Sequence, residues 1–186
     1  MFGLLSDQPQ YSDKIKPFIA IAPPVYLNNY YAPLLRLLAR DYLFVNYVRD
    51  HPSPCFTSAG SDLYEICSNK MMKLFCDLIA AMSLEATNYN ATRIDVYLSH
   101  IPAGSSCWDF IHFSQRMINE NFTYIDLGDE MNLERYGSKS PPIYNLQSIT
   151  NQHIAIIQST GDNKANPKDV QKLLDQLKGK QSNNII

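Results

Sequence analysis

One stretch near the end of the chain constrains its fold more than any other, because an apolar run, an acidic turn and a helical pattern follow one another directly. The run, Ile154–Ile157, is rich in β-branched residues and predicts a strand. The small residues Ser159–Gly161 end it in a turn, which is followed by the carboxylate of Asp162. The order of strand, acidic turn and helix predicts one unit of an open α/β sheet.

The helix of this unit has a recognisable start and one apolar face. Asn166 is placed to act as its N-cap, and Pro167 suits the first helical position. The apolar residues then recur at helical spacing: Val170, Leu173, Leu174 and Leu177. We therefore expect a helix over Pro167–Lys178.

Asp162 is the candidate functional residue of the unit. In open α/β sheets, ligands and catalytic groups lie outside the carboxyl ends of the strands, which is where Asp162 would stand. Aspartate is also a common turn residue and can end a strand without any further function. The pattern alone leaves both interpretations open.

A second strand is predicted near the start of the chain. Phe18–Ala22 is a continuous apolar run bounded by prolines, as expected for a strand that is buried on both faces of a parallel sheet. Between the two strands, Tyr31–Val48 and Ser61–Ala81 predict apolar helices, whereas Tyr124–Leu146 predicts loops. The helix over Tyr31–Val48 fits either a buried core or a surface that faces a lipid site. This order is typical of a sheet enzyme with a cap domain inserted between two strands.

Length and composition exclude several classes of protein. The chain has 186 residues, of which 45% are hydrophobic and 11% aromatic, enough for one domain with a sizeable core. Its net charge is −2 and no long run carries one sign, so we predict no nucleic-acid partner. No apolar run reaches the roughly 18 to 20 residues of a membrane span, and Met1–Pro9 lacks the features of a signal peptide. Taken alone, these features are typical of a cytosolic protein.

Sequons and cysteines indicate a secreted protein instead. Asn90-Ala-Thr and Asn121-Phe-Thr are acceptor patterns for N-glycosylation. Cys67 and Cys76 would be about 13 Å apart along a straight helix, whereas a disulfide needs Cα atoms about 4.4 to 6.8 Å apart. Either the predicted helix breaks between them or both stay reduced.

Other reactive side chains form no evident site. Cys55 and Cys107 have no evident partner, so we expect free, buried thiols. His51 and His112 have no second ligand at metal spacing, so we predict neither a zinc site nor a cofactor.

A serine nucleophile is not predicted within the chain. The pattern G-x-S-x-G is absent from the sequence, although His100 lies close to Ser105 and Ser106. Ser105, which follows a glycine, better suits the cap of a helix over Cys107–Asn119.

Several longer motifs occur in order along the chain. They are Asp95-Val-Tyr-Leu-Ser-His-Ile-Pro-Ala-Gly-Ser-Ser, His112-Phe-Ser-Gln, Pro141-Pro-Ile-Tyr-Asn-Leu, Gly161-Asp162 and Asn166-Pro-Lys-Asp-Val. Together they resemble the acid lipase family, the group of gastric lipase and lysosomal acid lipase. The resemblance runs from the Lys14–Pro23 segment to about Leu177, and the shared order makes it far more specific than any single motif.

The resemblance implies a fold class and a division of the chain. It implies a partial α/β-hydrolase fold, the C-terminal part of a mostly parallel sheet, with a large, mainly helical cap over an apolar acyl pocket. We therefore expect core segments at residues 1–27 and 146–186 and the cap at residues 28–145. Cys67 and Cys76 match the family's disulfide pair, and Asn90 matches one of its glycosylation sites.

The resemblance also implies an activity. The family hydrolyses ester bonds of triacylglycerols and sterol esters with a Ser-Asp-His triad and no cofactor. Asp162 matches the acid of that triad, which holds the imidazole in the right tautomer. The expected partners are neutral lipid esters or fatty acids at a lipid droplet or micelle surface. Full-length members are secreted or lysosomal, which accounts for the sequons.

The chain departs from the family's pattern at the two other triad positions. It has no G-x-S-x-G, and no histidine follows His153. We expect the nucleophile before Met1 and the histidine after the helix that ends near Lys178, so the chain alone should be inactive. It is then either part of a working lipase or a non-catalytic lipid-binding or regulatory remnant. An unrelated enzyme rich in helices is the third hypothesis.

Overall fold

The fold is known from a computed structural model, which describes residues 1–30, 46–47, 54–55, 90–93, 96–97, 99–100 and 104–177. The helices predicted over Tyr31–Val48 and Ser61–Ala81 lie outside these residues, apart from Asn46 and Tyr47, which are helical and exposed. The predicted disulfide pair, Cys67 and Cys76, also lies outside them.

The described residues form short helices and short strands. In chain order they are α1 (Phe2–Asp7), β1 (Phe18–Ile21), β2 (Pro54–Cys55), β3 (Ser105–Ser106), α2 (Cys107–Gln115), α3 (Asp129–Tyr136), β4 (Ile154–Ile157) and α4 (Pro167–Leu177). The chain forms two compact units, Met1–Asn46 with Ile111–Ile186, and Tyr47–Phe110. The first unit contains β1, β4 and α4. The cap boundaries expected at residues 28 and 145 stay a prediction.

The first unit is built on a pair of parallel strands. β1 runs beside β4 in the register Phe18↔Ile154 to Ile21↔Ile157. The ladder extends by one bond at its end, where the Ala22 N–H donates to the Ile157 carbonyl at 2.8 Å. Both predicted strands and the parallel character of their sheet are therefore confirmed, whereas the direct pairing of the two strands was not predicted. β1 ends one residue earlier than expected because Ala22 has a φ of 47°.

The two faces of this sheet differ sharply in exposure. On one face, Ala20, Ile154 and Ile156 are buried. On the other, Ile19 and Ile21 of β1 are 54% and 72% exposed. The prediction that β1 is buried on both faces is therefore wrong for this chain. The reason is that the helices of the buried cluster, α1 and α4, pack with the inward residues only.

Helix α4 has the predicted amphipathic pattern. Its four apolar residues at helical spacing are all buried: Val170, Leu173, Leu174 and Leu177. Burial of each such side chain stabilises the fold by about 1.5–3 kcal/mol. Asn166 acts as the N-cap as predicted, since its side-chain oxygen accepts from the Lys168 N–H at 3.0 Å.

Helix α1 completes the buried face of the sheet. Phe2 and Leu5 are buried, and the Phe2 ring lies edge-on to Phe18 with centroids 4.9 Å apart. Gly3 lies against the Tyr144 ring, where a Cβ would come within 3.0 Å of a ring carbon. The close approach explains a glycine in the first turn of this helix.

Helix α3 occupies a region that the sequence predicted to be loops. It begins after Gly128 and ends at Gly137, whose φ of 70° is the left-handed conformation of a helix C-cap. Its first turn carries Asp129 and Glu130, which the helix dipole favours. The prediction missed it because few of its residues are apolar. Asn132 anchors it, because its completely buried amide accepts from the Leu127 N–H at 3.0 Å.

Helix α2 begins at Cys107 as predicted, but its last residue and its capping serine differ from the prediction. It ends at Gln115, four residues before the expected Asn119, and continues only as turns. At its start the Trp108 N–H donates to the Ser106 hydroxyl at 3.2 Å, so Ser106 rather than Ser105 serves as the cap. Ser105 instead pairs with Cys55 in the two-residue ladder between β2 and β3.

The expectation of a free thiol at Cys107 is wrong. Cys107 is buried as expected, but it forms a disulfide bond. Its partner's side chain lies outside the described residues. A pairing between segments distant in sequence is a tertiary property, and the cysteine spacing could not reveal it.

Candidate functional site

Asp162 follows β4 in a turn that its own carboxylate holds together. One oxygen, Oδ1, accepts the backbone N–H groups of Lys164 at 2.8 Å and Ala165 at 2.9 Å. The Asp162 N–H donates to the Ser159 carbonyl at 3.3 Å. Within the described part of the chain, the second oxygen, Oδ2, forms no hydrogen bond. The turn thus orients the carboxylate through Oδ1 and leaves Oδ2 available.

The turn lies at the carboxyl edge of the parallel pair. Because β1 and β4 are parallel, the kink at Ala22 and the Asp162 turn leave the sheet at the same edge. The Gln158 side-chain oxygen at this edge is buried and accepts no hydrogen bond from the described residues. Functional groups of open α/β sheets collect at such an edge.

Among the described residues, no base or nucleophile contacts the Asp162 carboxylate. His153 precedes β4 and therefore lies at the opposite end of that strand. The His112 Nε2 atom lies 2.9 Å from the Thr123 carbonyl oxygen, which gives this ring a structural role. No serine hydroxyl or histidine ring of the described segments forms a hydrogen bond with the Asp162 carboxylate.

The structure adds a second carboxylate near this turn, for which no role was predicted from the sequence. Asp169, in the first turn of α4, is only 2% exposed. Its Oδ2 accepts the backbone N–H of Asn29 at 2.9 Å, and its Oδ1 accepts from the Asn29 amide at 2.7 Å. An acidic residue in a first helical turn normally faces solvent, so only the tertiary contact with Asn29 distinguishes it.

A cavity of about 470 Å³ lies beside this contact. It is lined by residues of α4 and by residues near both ends of residues 31–110, among them Asn28, Ile118, Glu120, Lys168 and Lys172. Most of the lining is polar or charged, so hydrogen bonds rather than apolar packing hold this region together.

The predicted glycosylation sites lie in different surroundings. Asn90 is exposed, and its side-chain oxygen accepts from the Thr92 hydroxyl at 2.7 Å. Asn121 is exposed, but the Thr123 of its sequon is buried and accepts from Arg116 at 2.6 Å. Both sites stay predictions.

Arg116 is the most unusual charge in the described structure. It is 5% exposed, and its Nε and Nη1 atoms are buried and have no acceptor among the described residues. Its guanidinium lies 5.5 Å from the centroid of the Phe122 ring. Burial lowers the pKa of the Arg116 guanidinium to about 10. The charged form of this side chain therefore opposes folding.

A stack of aromatic rings joins α1 to the segment after α2. The rings of Tyr124 and Tyr144 are stacked with centroids 4.1 Å apart, and Phe122 lies 4.5 Å from Tyr144. The Tyr124 hydroxyl donates to the Asp7 carboxylate of α1. Loss of solvent, and then the bond to Asp7, raises the pKa of the Tyr124 phenol.

Neither a membrane span nor a metal centre has a candidate among the described residues. Among them, no helix is long and apolar enough to cross a membrane. The same residues contain no group of three or more side chains arranged to hold a metal ion.

Comparison with known proteins decides the family. No model of a protein family matches the chain. Gastric triacylglycerol lipase of Bos taurus is 34% identical over 182 residues, and that of Homo sapiens is 33% identical over 184 residues. Lipase member K of Homo sapiens is 31% identical over 183 residues. Each alignment covers 95% of this chain and 45% of the relative.

The chain belongs to the acid lipase family. This family of carboxylic ester hydrolases implies an α/β-hydrolase fold, with which the small parallel sheet and its helices agree. The chain spans about half the length of the curated relatives that it matches.

Proposed function

We propose that this chain is the part of an acid lipase that supplies the acid of a Ser-Asp-His triad, and that Asp162 is that acid. The observation that carries the proposal is the geometry of the Asp162 turn. Two backbone N–H groups hold Oδ1, and Oδ2 forms no hydrogen bond with the described residues at this carboxyl edge of a parallel sheet. A triad acid needs one oriented oxygen that can accept the N–H of an imidazole.

In this role Asp162 acts on the histidine and not on the ester. Its Oδ2 accepts the Nδ1–H of the imidazole, which leaves Nε2 as the base that takes the proton of the serine. The carboxylate then stabilises the imidazolium that forms. The Lys164 and Ala165 N–H groups prevent the carboxylate from rotating during these steps.

The arrangement of the rest of the protein is also a proposal. Residues 1–27 and 146–186 form parts of the hydrolase core, and residues 28–145 form a helical cap over an apolar acyl pocket. The substrates are neutral lipid esters, triacylglycerols and sterol esters, taken from a lipid droplet or micelle surface. The protein is secreted or lysosomal, with glycans at Asn90 and Asn121 and a disulfide between Cys67 and Cys76.

The chain by itself should not turn over esters. The sequence has no G-x-S-x-G pattern for a nucleophile, and loss of a nucleophile lowers kcat of a serine hydrolase by about 10⁶. The non-catalytic lipid-binding remnant is the alternative. The exposed Ile19 and Ile21 argue against it, because an uncovered apolar sheet face is an aggregation hazard in an independent product.

A chimaera tests the role of Asp162. The chain is joined to the parts of Bos taurus gastric triacylglycerol lipase that lie outside the aligned region, and hydrolysis of a nitrophenyl ester is measured. We expect Asp162→Asn to lower kcat by about 10⁴, because an amide favours the wrong tautomer of the histidine. The matched control is Asp129→Asn, on the exposed surface of α3, which should leave kcat unchanged.

The same chimaera separates a catalytic defect from misfolding. Circular dichroism and the melting temperature report folding without any reaction at the serine, and both variants should keep the spectrum and the melting temperature of the parent. A folded Asp162→Asn chimaera that keeps kcat within about tenfold of the parent contradicts the assignment. Saturable binding of a fluorescent fatty acid by the 186-residue chain alone would favour the lipid-binding alternative.

A further inference from the structure

Two chain segments, one on each side of residues 31–110 in sequence, are tied to the same helix. The segment before residue 31 contacts Asp169 of α4, through the two hydrogen bonds from Asn29 at 2.9 and 2.7 Å. The segment after residue 110 contacts Lys172, which lies one turn further along α4. The Lys172 ammonium donates to the Glu120 carbonyl at 2.5 Å. The segments also contact each other, because the Asn28 amide donates to the Asn119 carbonyl at 2.8 Å.

The Asp169 contact depends on its two hydrogen bonds. Asp169 is 2% exposed, so loss of a donor on Asn29 leaves a buried carboxylate oxygen without that hydrogen bond, at the desolvation cost of a charged group. The neighbouring cavity of about 470 Å³ means that apolar packing does not replace these bonds on that side. Loss of either donor should therefore loosen the start of α4.

The start of α4 leads directly back to Asp162. The Asp169 N–H donates to the Asn166 carbonyl at 2.9 Å, and the Asn166 side chain caps the helix. Ala165, just before this cap, is 1% exposed, and its N–H donates to the Asp162 Oδ1 atom. A continuous run of short contacts thus joins Asn29, through Asp169, to the carboxylate of Asp162.

We propose that Asp169 is a positioning residue that fastens the segment before residue 31 to α4 and thereby holds the Asp162 turn in place. Its importance for catalysis rests on the proposed function, in which Asp162 is the triad acid. A carboxylate that only complemented the helix dipole would need no buried partner, whereas Asp169 uses both oxygens on Asn29.

Hydrogen exchange of the 186-residue chain tests the proposal without any ester hydrolysis, so its failure is distinguishable from that of the proposed function. Asp169→Asn leaves an amide where Asn29 donates twice. We expect the N–H groups of Asn29, Lys164 and Ala165 to exchange about tenfold faster or more, because their hydrogen-bonded contacts open together. The N–H groups of Leu173 and Leu174, inside α4, should change much less.

A paired exchange of side chains provides the rescue. In Asn29→Asp with Asp169→Asn, the new amide can donate to the new carboxylate and still accept the backbone N–H of residue 29. We expect this double variant to restore slow exchange at Lys164 and Ala165. Gln171→Ala, on the exposed side of the same helix, is the matched control and should leave both rates unchanged.

Two outcomes of the Asp169→Asn experiment overturn the proposal. One is a change confined to Asn29, which would make the contact local, and the other is equal acceleration throughout α4, which would make Asp169 a general stability residue. If Asp169→Asn fails to fold, Asn29→Ala removes only the side-chain bond and keeps the backbone one. It should then raise the Lys164 and Ala165 rates by a smaller factor, and unchanged rates in that variant also overturn the proposal.

Discussion

The two faces of the β1–β4 sheet have the same chemistry and opposite surroundings. Ile154 and Ile156 point into a core built by α1 and α4, whereas Ile19 and Ile21 point to solvent. The difference teaches that apolar character makes burial of a side chain favourable but does not decide whether another element covers it. In this chain only one face of the sheet receives its cover from the described residues.

The largest expected effect comes from making the same isoleucine-to-alanine substitution once on each face. Ile156→Ala on the covered face should lower the free energy of unfolding by about 2–5 kcal/mol, because it removes buried methyl groups and leaves a cavity. Ile21→Ala on the exposed face should change it by less than about 0.5 kcal/mol. Urea denaturation measures both, and equal losses would show that Ile21 is covered in solution.

The next prediction asks whether burial alone stabilises. Arg116 is about as buried as Ile154, yet it carries a charge, and two of its nitrogen atoms have no acceptor in the described part of the chain. Arg116→Met keeps the volume and removes the charge, so it should raise the free energy of unfolding by about 1–3 kcal/mol. A loss of stability in urea denaturation would mean that an acceptor for Arg116 exists in solution.

The pH dependence of stability tests the hydrogen bond by which Tyr124 holds α1. The pKa of Tyr124 is raised, so the folded state holds the phenol proton more tightly than the unfolded state does. Its contribution is complete below the ordinary pKa of about 10 and is lost as pH rises above it. Tyr124→Phe should cost about 1 kcal/mol at neutral pH and should flatten the decline above pH 10. Melting temperatures from pH 7 to 11 measure both; an equally steep decline in the variant contradicts the assignment.

The smallest expected effect on stability concerns the exposed face alone. Ile21→Lys should change the free energy of unfolding by less than about 0.5 kcal/mol, because the side chain is in water in either case. It should also reduce self-association, measured by sedimentation velocity, because it places a charge on an exposed apolar strand. Destabilisation of more than about 1 kcal/mol would contradict the exposure of this face.

The sequence predicted local structure well where one signal decided it. The strand Ile154–Ile157 was predicted from its run of β-branched residues and is confirmed. Helix α4 was predicted from its periodicity, its capping Asn166 and its first-turn proline, and these are confirmed as well. Helix α3 was missed because it is mostly polar, although Gly128 and Gly137 mark its ends. Its core contact is Asn132, and a buried amide has no periodic signal.

The candidate site divides in the same way. Asp162 was predicted because position after a strand is a local property, and the family resemblance implied its role. Asp169 was not predicted, since its partner Asn29 lies 140 positions away in sequence. The disulfide of Cys107 was missed for the same reason, because only the fold decides which distant segments meet.

The sequence by itself determined the strand–turn–helix unit, the position of Asp162 and the family to which the chain belongs. These depend on neighbouring residues, on periodicity and on motif order, all of which are written along the chain. Tertiary structure alone decided which face of the sheet is covered, that Arg116 is buried and that Asp169 is tied to Asn29. Each of these depends on contacts between segments distant in sequence, and burial and hydrogen-bond partners exist only after those segments have met.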